Sequence, residues 1–197
     1  MLHLWLVRHG QTDWNVERRL QGWTDIPLNS TGQAEADELG AALATVSFCH
    51  IYTSPLRRAL ETAERIQVYV GAPLTCDDRL KERGFGRLEG RVRGEDRETE
   101  PDVGVEADEA VRIRIQSFLE DTAKRHSTGR LLVVTHGGII RMCLSMFGHT
   151  LAEPLDNASV TAIQMSQGRA HIHLVNARSP LFRQAATDRE SSAMPTD

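Results

Sequence analysis

The chain has 197 residues and a mass of 22.0 kDa, with 40% hydrophobic and 25% charged residues, which fits one folded domain and excludes disorder over most of its length. A net charge of −4 and a pI of about 6.1 provide no bulk attraction to nucleic acid or an anionic membrane, so any anion site must be local. Cys49, Cys76 and Cys143 form no C-x-x-C pair, which argues against a disulfide framework or a zinc ribbon.

The first element, Leu2 to Val7, is a short apolar run and reads as a buried strand ending at Arg8-His9-Gly10. No basic segment or small-residue cleavage site marks this N-terminus as a leader, and no stretch reaches the roughly 18 apolar residues of a membrane span. The expectation is a cytoplasmic protein with neither membrane nor nucleic acid as a partner. A polar loop follows, and Ser30 and Gln33 have capping-box spacing ahead of a helix to about Ala44. Phe48 to Thr53 reads as a second strand. It meets Ser54-Pro55, an N-cap with proline at the first helical position, and that helix ends at Gly71-Ala72-Pro73.

Between about 83 and 108 glycines and charges break the pattern, and this stretch reads as an irregular insertion turning acidic at Glu95, Asp96, Glu98, Glu100 and Asp102. Val111, Ile115, Phe118, Leu119 and Thr122 then mark one helical face, with Gly129 as the stop. Leu131 to Thr135 is the most strand-like segment and ends at His136-Gly137-Gly138, ahead of a helix over Ile139–Phe147. Ser159–Met165 and Arg169–Val175 bracket Ser166-Gln167-Gly168 as a hairpin, and residues 178–197 read as a loose tail. Strands alternating with helices predict a single α/β domain over 1–177. It would be a three-layer α/β/α sandwich whose mostly parallel sheet carries an antiparallel edge strand.

Three predicted strands end in polar groups: Arg8-His9-Gly10, Ser54 to Arg58, and His136-Gly137-Gly138. In a parallel sheet these ends share one edge, where open α/β folds bind ligands. Arg57 and Arg58 fall in the first turn of a helix, where the dipole disfavours cations, and a bound anion would offset that penalty. The remaining histidines read as structural or exposed. His171 and His173 share a strand face without an evident third metal ligand, so no metal site is expected.

These residues resemble a known family. Leu6 to Asn15 (LVRHGQTDWN) is similar to the R-H-G-x-T signature of the histidine phosphatase superfamily, in its phosphoglycerate-mutase-like branch. Ser54 to Ala63 resembles the family's second-arginine helix, Leu80 to Gly90 its acid-bearing segment, and Val134 to Gly138 its second-histidine turn. The resemblance implies that His9 is the nucleophile and Glu82 the proton donor, with Arg8, Arg58 and His136 holding the phosphoryl group. Asn15, Thr12, Gln21, Gly22 and Gly137 match substrate-side positions. It also implies a small-molecule phosphomonoester as ligand, no cofactor, and homodimers as in many members. A raised Glu82 pKa, supplied by apolar burial, would suit its role as an acid.

Two activities share that constellation. A mutase of this branch carries a longer insertion with basic residues for a second phosphate, whereas this one is short and acidic, so a metal-independent phosphatase is the expected activity. The acidic run would repel a second phosphate and points to a neutral or weakly charged organic portion on the substrate, although Arg91, Arg93 and Arg97 oppose that repulsion. Leu88 stands where tryptophan is frequent in the family, so the pocket wall differs there. A phospho-ligand-binding module without turnover is the third reading, and the presence of all five catalytic-type residues argues against it.

Overall fold

The computed structural model describes residues 1–94, 104–166 and 169–178. The acidic run beginning at Glu95, the hairpin tip at 167–168 and the tail from 179 lie outside the described residues.

Six strands form one sheet: β1 (Leu2–Arg8), β2 (His50–Thr53), β3 (Leu74–Cys76), β4 (Gly129–Thr135), β5 (Val160–Ser166) and β6 (Arg169–Ala177). Their spatial order is β3-β2-β4-β1-β5-β6. The first four are mutually parallel, β5 runs antiparallel to β1, and β6 pairs antiparallel with β5 at the edge. The hairpin therefore adds two strands, and the antiparallel one lies inside the edge.

Among the described residues five α-helices connect them: α1 (Asp13–Val16), α2 (Ser30–Leu43), α3 (Arg57–Val70), α4 (Asp108–Arg125) and α5 (Gly137–Met146). Alternating strand residues divide the core. Leu4, Leu6, Leu131 and Val133 pack with Ile115, Phe118 and Ile140 of α4 and α5, while Val7, Leu132 and Val134 pack with Leu39, Leu43, Ala63 and Ile66 of α2 and α3. Covered on both faces, the central strands are apolar throughout rather than alternating. No helix among the described residues is long and apolar enough to cross a membrane.

Chain order fixes where a ligand can sit. After β1 and β2 the chain crosses the sheet on the α2/α3 face, whereas around β4 it uses the α4/α5 face. Neighbouring β1 and β4 thus send their C-terminal loops apart, opening a crevice at the switch point.

Several local expectations are corrected. The α2 cap is Asn29, whose side chain accepts from the Gly32 N–H, rather than Ser30. Helix α3 begins at Arg57 behind Leu56, so Ser54-Pro55 stands outside the helix, although Arg57 and Arg58 do occupy its first turn. Gly129, at φ 106°, opens β4 instead of stopping α4. The short α1 and β3 were not anticipated. Within the insertion, Gly86–Leu88 forms a 3-10 turn and Val92 makes an antiparallel bridge to Arg19.

Candidate active site

His9 leaves β1 with its N–H on the Thr135 carbonyl of β4, 3.0 Å away, so the sheet ladder carries it to the crevice. Its Nδ1 lies 2.7 Å from the Gly10 carbonyl oxygen. A carbonyl can only accept, so Nδ1 bears the proton and Nε2 keeps the lone pair. Burial, and then the Arg58 and Arg8 guanidiniums, hold the His9 pKa well below 6.5, so the ring is neutral at pH 7.

The turn after His9 is held by close backbone packing. The Gly10 N–H donates to Thr62 Oγ1 at 3.0 Å, and that hydroxyl donates to the Arg58 carbonyl at 2.7 Å. A Cβ on Gly10 would meet the Gly32 carbonyl oxygen at 2.4 Å, so glycine is required where this turn touches the start of α2.

Arg58, on the first turn of α3, is fully buried. It donates to the Gly22 carbonyl at 2.7 Å and the Thr24 carbonyl at 3.0 Å. Burial lowers its pKa to about 10, which leaves it charged at pH 7. Those two carbonyls are in turn placed by Glu89, which accepts from the Trp23, Thr24 and Phe85 N–H groups at 3.0, 2.8 and 3.0 Å. Burial opposes ionisation of Glu89, yet these bonds and the Thr24 hydroxyl hold its pKa below the ordinary value. Arg8 donates to the Leu155 carbonyl.

Asn15 is oriented by its acceptors. Its Oδ1 receives the Thr12 N–H at 3.0 Å, the Thr12 hydroxyl at 3.1 Å and Asn157 Nδ2 at 3.2 Å. Three donors on one oxygen leave the Asn15 Nδ2 as the free donor. Asn157 Nδ2 also reaches the His9 carbonyl at 3.0 Å. Thr12 is wholly buried as the α1 cap, so it shapes the site through Asn15 instead of lining it.

Glu82 sits at the mouth, half-buried, with Oε1 accepting the Arg83 N–H at 2.9 Å and Oε2 the Gly138 N–H of α5 at 3.1 Å. Its setting is polar, so the expected apolar burial is absent. A Cβ on Gly138 would lie 2.3 Å from Glu82 Oε1, whereas one on Gly137 would make only ordinary contact with Arg8. Gly138 is thus the glycine that this carboxylate needs.

His136 caps β4 beneath His9, with ring centroids 5.2 Å apart and an edge-to-face angle of 61°. It is fully buried, and burial together with Arg58 and His9 holds its pKa well below 6.5. Among the described residues three buried side-chain polar atoms have no partner: Gln21 Oε1, Arg58 Nε and His136 Nδ1. All three belong to this site. Buried polar groups are ordinarily paired, so their concentration here marks a place built for a polar ligand.

The cleft measures about 540 Å³. His9, Arg8, Arg58, Glu82, Asn15 and Gln21 line it, joined by Gly22 and Gly137, and of the residues singled out from sequence Thr12 and His136 are buried directly beside this lining, against Asn15 and His9. Its described rim is basic, with Arg18, Arg19, Arg83, Arg93 and Arg141 outnumbering Asp108. An acidic wall is not what these residues build. Sequence reasoning assigned no role to Glu89, Thr62 or Asn157. Thr62, one turn after Arg58, carried a local signal, whereas Asn157 carried none.

The chain belongs to the histidine phosphatase superfamily (branch 1), whose family model matches residues 4–178. Its relatives include phosphatase PhoE of Bacillus subtilis (strain 168), 35% identical over 183 residues that cover 89% of this chain and 95% of the relative. Among solved structures, Bacillus stearothermophilus YhfR superposes with a TM-score of 0.81 at 33% identity, covering 89% of this chain and 97% of that one. A phosphoglycerate mutase from Bacillus anthracis gives the same TM-score of 0.81 at 27% identity over 94% of this chain and 96% of its own. The fold is thus that of phosphoglycerate-mutase-like proteins, and the activity is that of a phosphatase or a mutase.

Proposed function

We propose that the protein hydrolyses small phosphomonoesters without a metal ion, through a phosphohistidine on His9. The observation that carries this reading is the 2.7 Å contact of His9 Nδ1 with the Gly10 carbonyl, which leaves a neutral ring with its Nε2 lone pair available. Nε2 attacks phosphorus in line, forming an N–P bond as the ester P–O bond breaks. Arg8, Arg58 and the Asn15 amide hold the equatorial oxygens, so cationic side chains supply the charge that a metal ion provides elsewhere. Glu82 gives its proton to the leaving oxygen. It then takes one from the water that attacks phosphorus and frees His9.

The test is phosphate release from a panel of phosphomonoesters in excess chelator, wild type beside His9→Ala. Chelator-resistant release abolished in the variant is the expected result, and wild-type turnover by His9→Ala would end the proposal.

The basic rim favours a second reading. Arg18 and Arg93 line the cleft and, among the described residues, form no ion pair with an acid, so they suit a substrate bearing a second anionic group. A bisphosphoglycerate-primed mutase is such a case. Isomerisation of 3-phosphoglycerate outrunning phosphate release would establish it.

A further inference from the structure

Ser54 carries the sequence signature of a helix cap yet stands outside the helix, fully buried at the end of β2. Its Oγ accepts the Leu56 N–H at 3.3 Å and lies 2.8 Å from Nε2 of His136. A buried hydroxyl has one proton to place, and Nε2 is the acceptor that the described contacts offer it. With that lone pair engaged, the ring proton belongs on Nδ1, the nitrogen that has no partner among the described residues.

We infer that Ser54 is a positioning residue that sets the tautomer of His136, keeping the proton on Nδ1 so that the ring donates to a phosphoryl oxygen. The inference rests on the phosphatase reading for the identity of the ligand, but the tautomer is a property of the ligand-free protein. Tautomer matters here because the ring is neutral. An imidazolium would donate from both nitrogens, whereas a neutral ring with its proton on Nε2 would turn a lone pair toward an anion. One hydroxyl behind the ring thus decides whether His136 attracts or repels the phosphoryl group.

Long-range proton–nitrogen NMR of the 15N-histidine-labelled protein at pH 8 reads this directly, with His136 assigned by its loss in His136→Gln. The expected result is a protonated Nδ1 and a bare Nε2 in wild type, with the Nδ1 proton shifting on addition of orthovanadate. In Ser54→Ala the proton should move toward Nε2, and kcat should fall about 10²-fold, the usual effect of losing one donor to a transition-state oxyanion. Ser54→Thr, which keeps the hydroxyl, should restore the tautomer and most of kcat. A proton on Nε2 in wild type, no response to orthovanadate, or an unchanged tautomer in Ser54→Ala would each overturn the inference. Absence of turnover with the expected tautomer and orthovanadate response would instead remove the hydrolytic reading alone.

Discussion

At the scale of single residues, the site is a set of groups whose protonation is dictated by what lies behind them. The Gly10 carbonyl determines which nitrogen of His9 keeps its lone pair, and three donors determine which way the Asn15 amide faces. Glu82 depends on a missing side chain, since its Oε1 occupies the space that a Cβ on Gly138 would fill. Gly138→Ala should therefore push the carboxylate off the leaving-group side. We expect kcat to fall by about 10²-fold or more, the usual worth of a positioned general acid. The urea midpoint should change little, because Glu82 is half-buried and able to move. Stopped-flow phosphate release beside equilibrium unfolding checks both, and an unchanged kcat would remove Glu82 from the proton-transfer role.

At the scale of elements, strands and helices with strong apolar runs were legible, and the pieces that depend on distant partners were not. Leu131–Thr135 and the helical face around Phe118 announce themselves, because a buried element must be apolar on the sides that it buries. Strand β3 is three residues long and partly exposed at the sheet edge, too little for a periodicity. Ser30 looked like the α2 cap because it has the right chemistry, but the neighbouring Asn29 reaches the Gly32 N–H. Arg8, His9 and His136 were legible because they stand at strand ends beside glycine, whereas Glu82 was found only through the family resemblance. The supports of the site were not legible: Glu89 and Asn157 act through backbone groups far away in sequence. The tightest junction between elements is the backbone contact of Gly10 with Gly32, where a Cβ on either would meet a carbonyl oxygen at 2.4 or 2.1 Å. Backbone cannot swing aside as a side-chain tip can. Gly10→Ala and Gly32→Ala should each cost about 1–3 kcal/mol of stability, the usual cost of overpacking, and lower activity together with it. Urea unfolding of the two variants measures this, and wild-type midpoints would show that the turn yields.

At the scale of the whole molecule, two buried histidines kept neutral give the fold a defined response to acid. In the unfolded chain His9 and His136 titrate near 6.5, while in the folded protein both stay neutral to well below that pH. Between those limits the unfolded state binds up to two more protons. Stability is therefore fully present above pH 6.5 and is lost as the pH falls, at up to about 2.7 kcal/mol per pH unit for the pair. Urea midpoints measured from pH 7.5 down to 5.5 should decline through this window, and a flat profile would mean that the rings charge without penalty.

Strand order carries one more consequence. His9 follows the first strand and His136 follows the fourth, yet the two strands are adjacent because β4 inserts between β1 and β2. During synthesis the first strand therefore emerges with an empty place beside it, and the two rings cannot meet until most of the chain has been made. A ribosome-bound fragment lacking β4 holds a complete R-H-G turn but has no second histidine beneath it and no α5 N–H to donate to Glu82. The assembled site thus arrives only when β4 enters the sheet, so a partly made chain holds the separate motifs without the crevice that joins them.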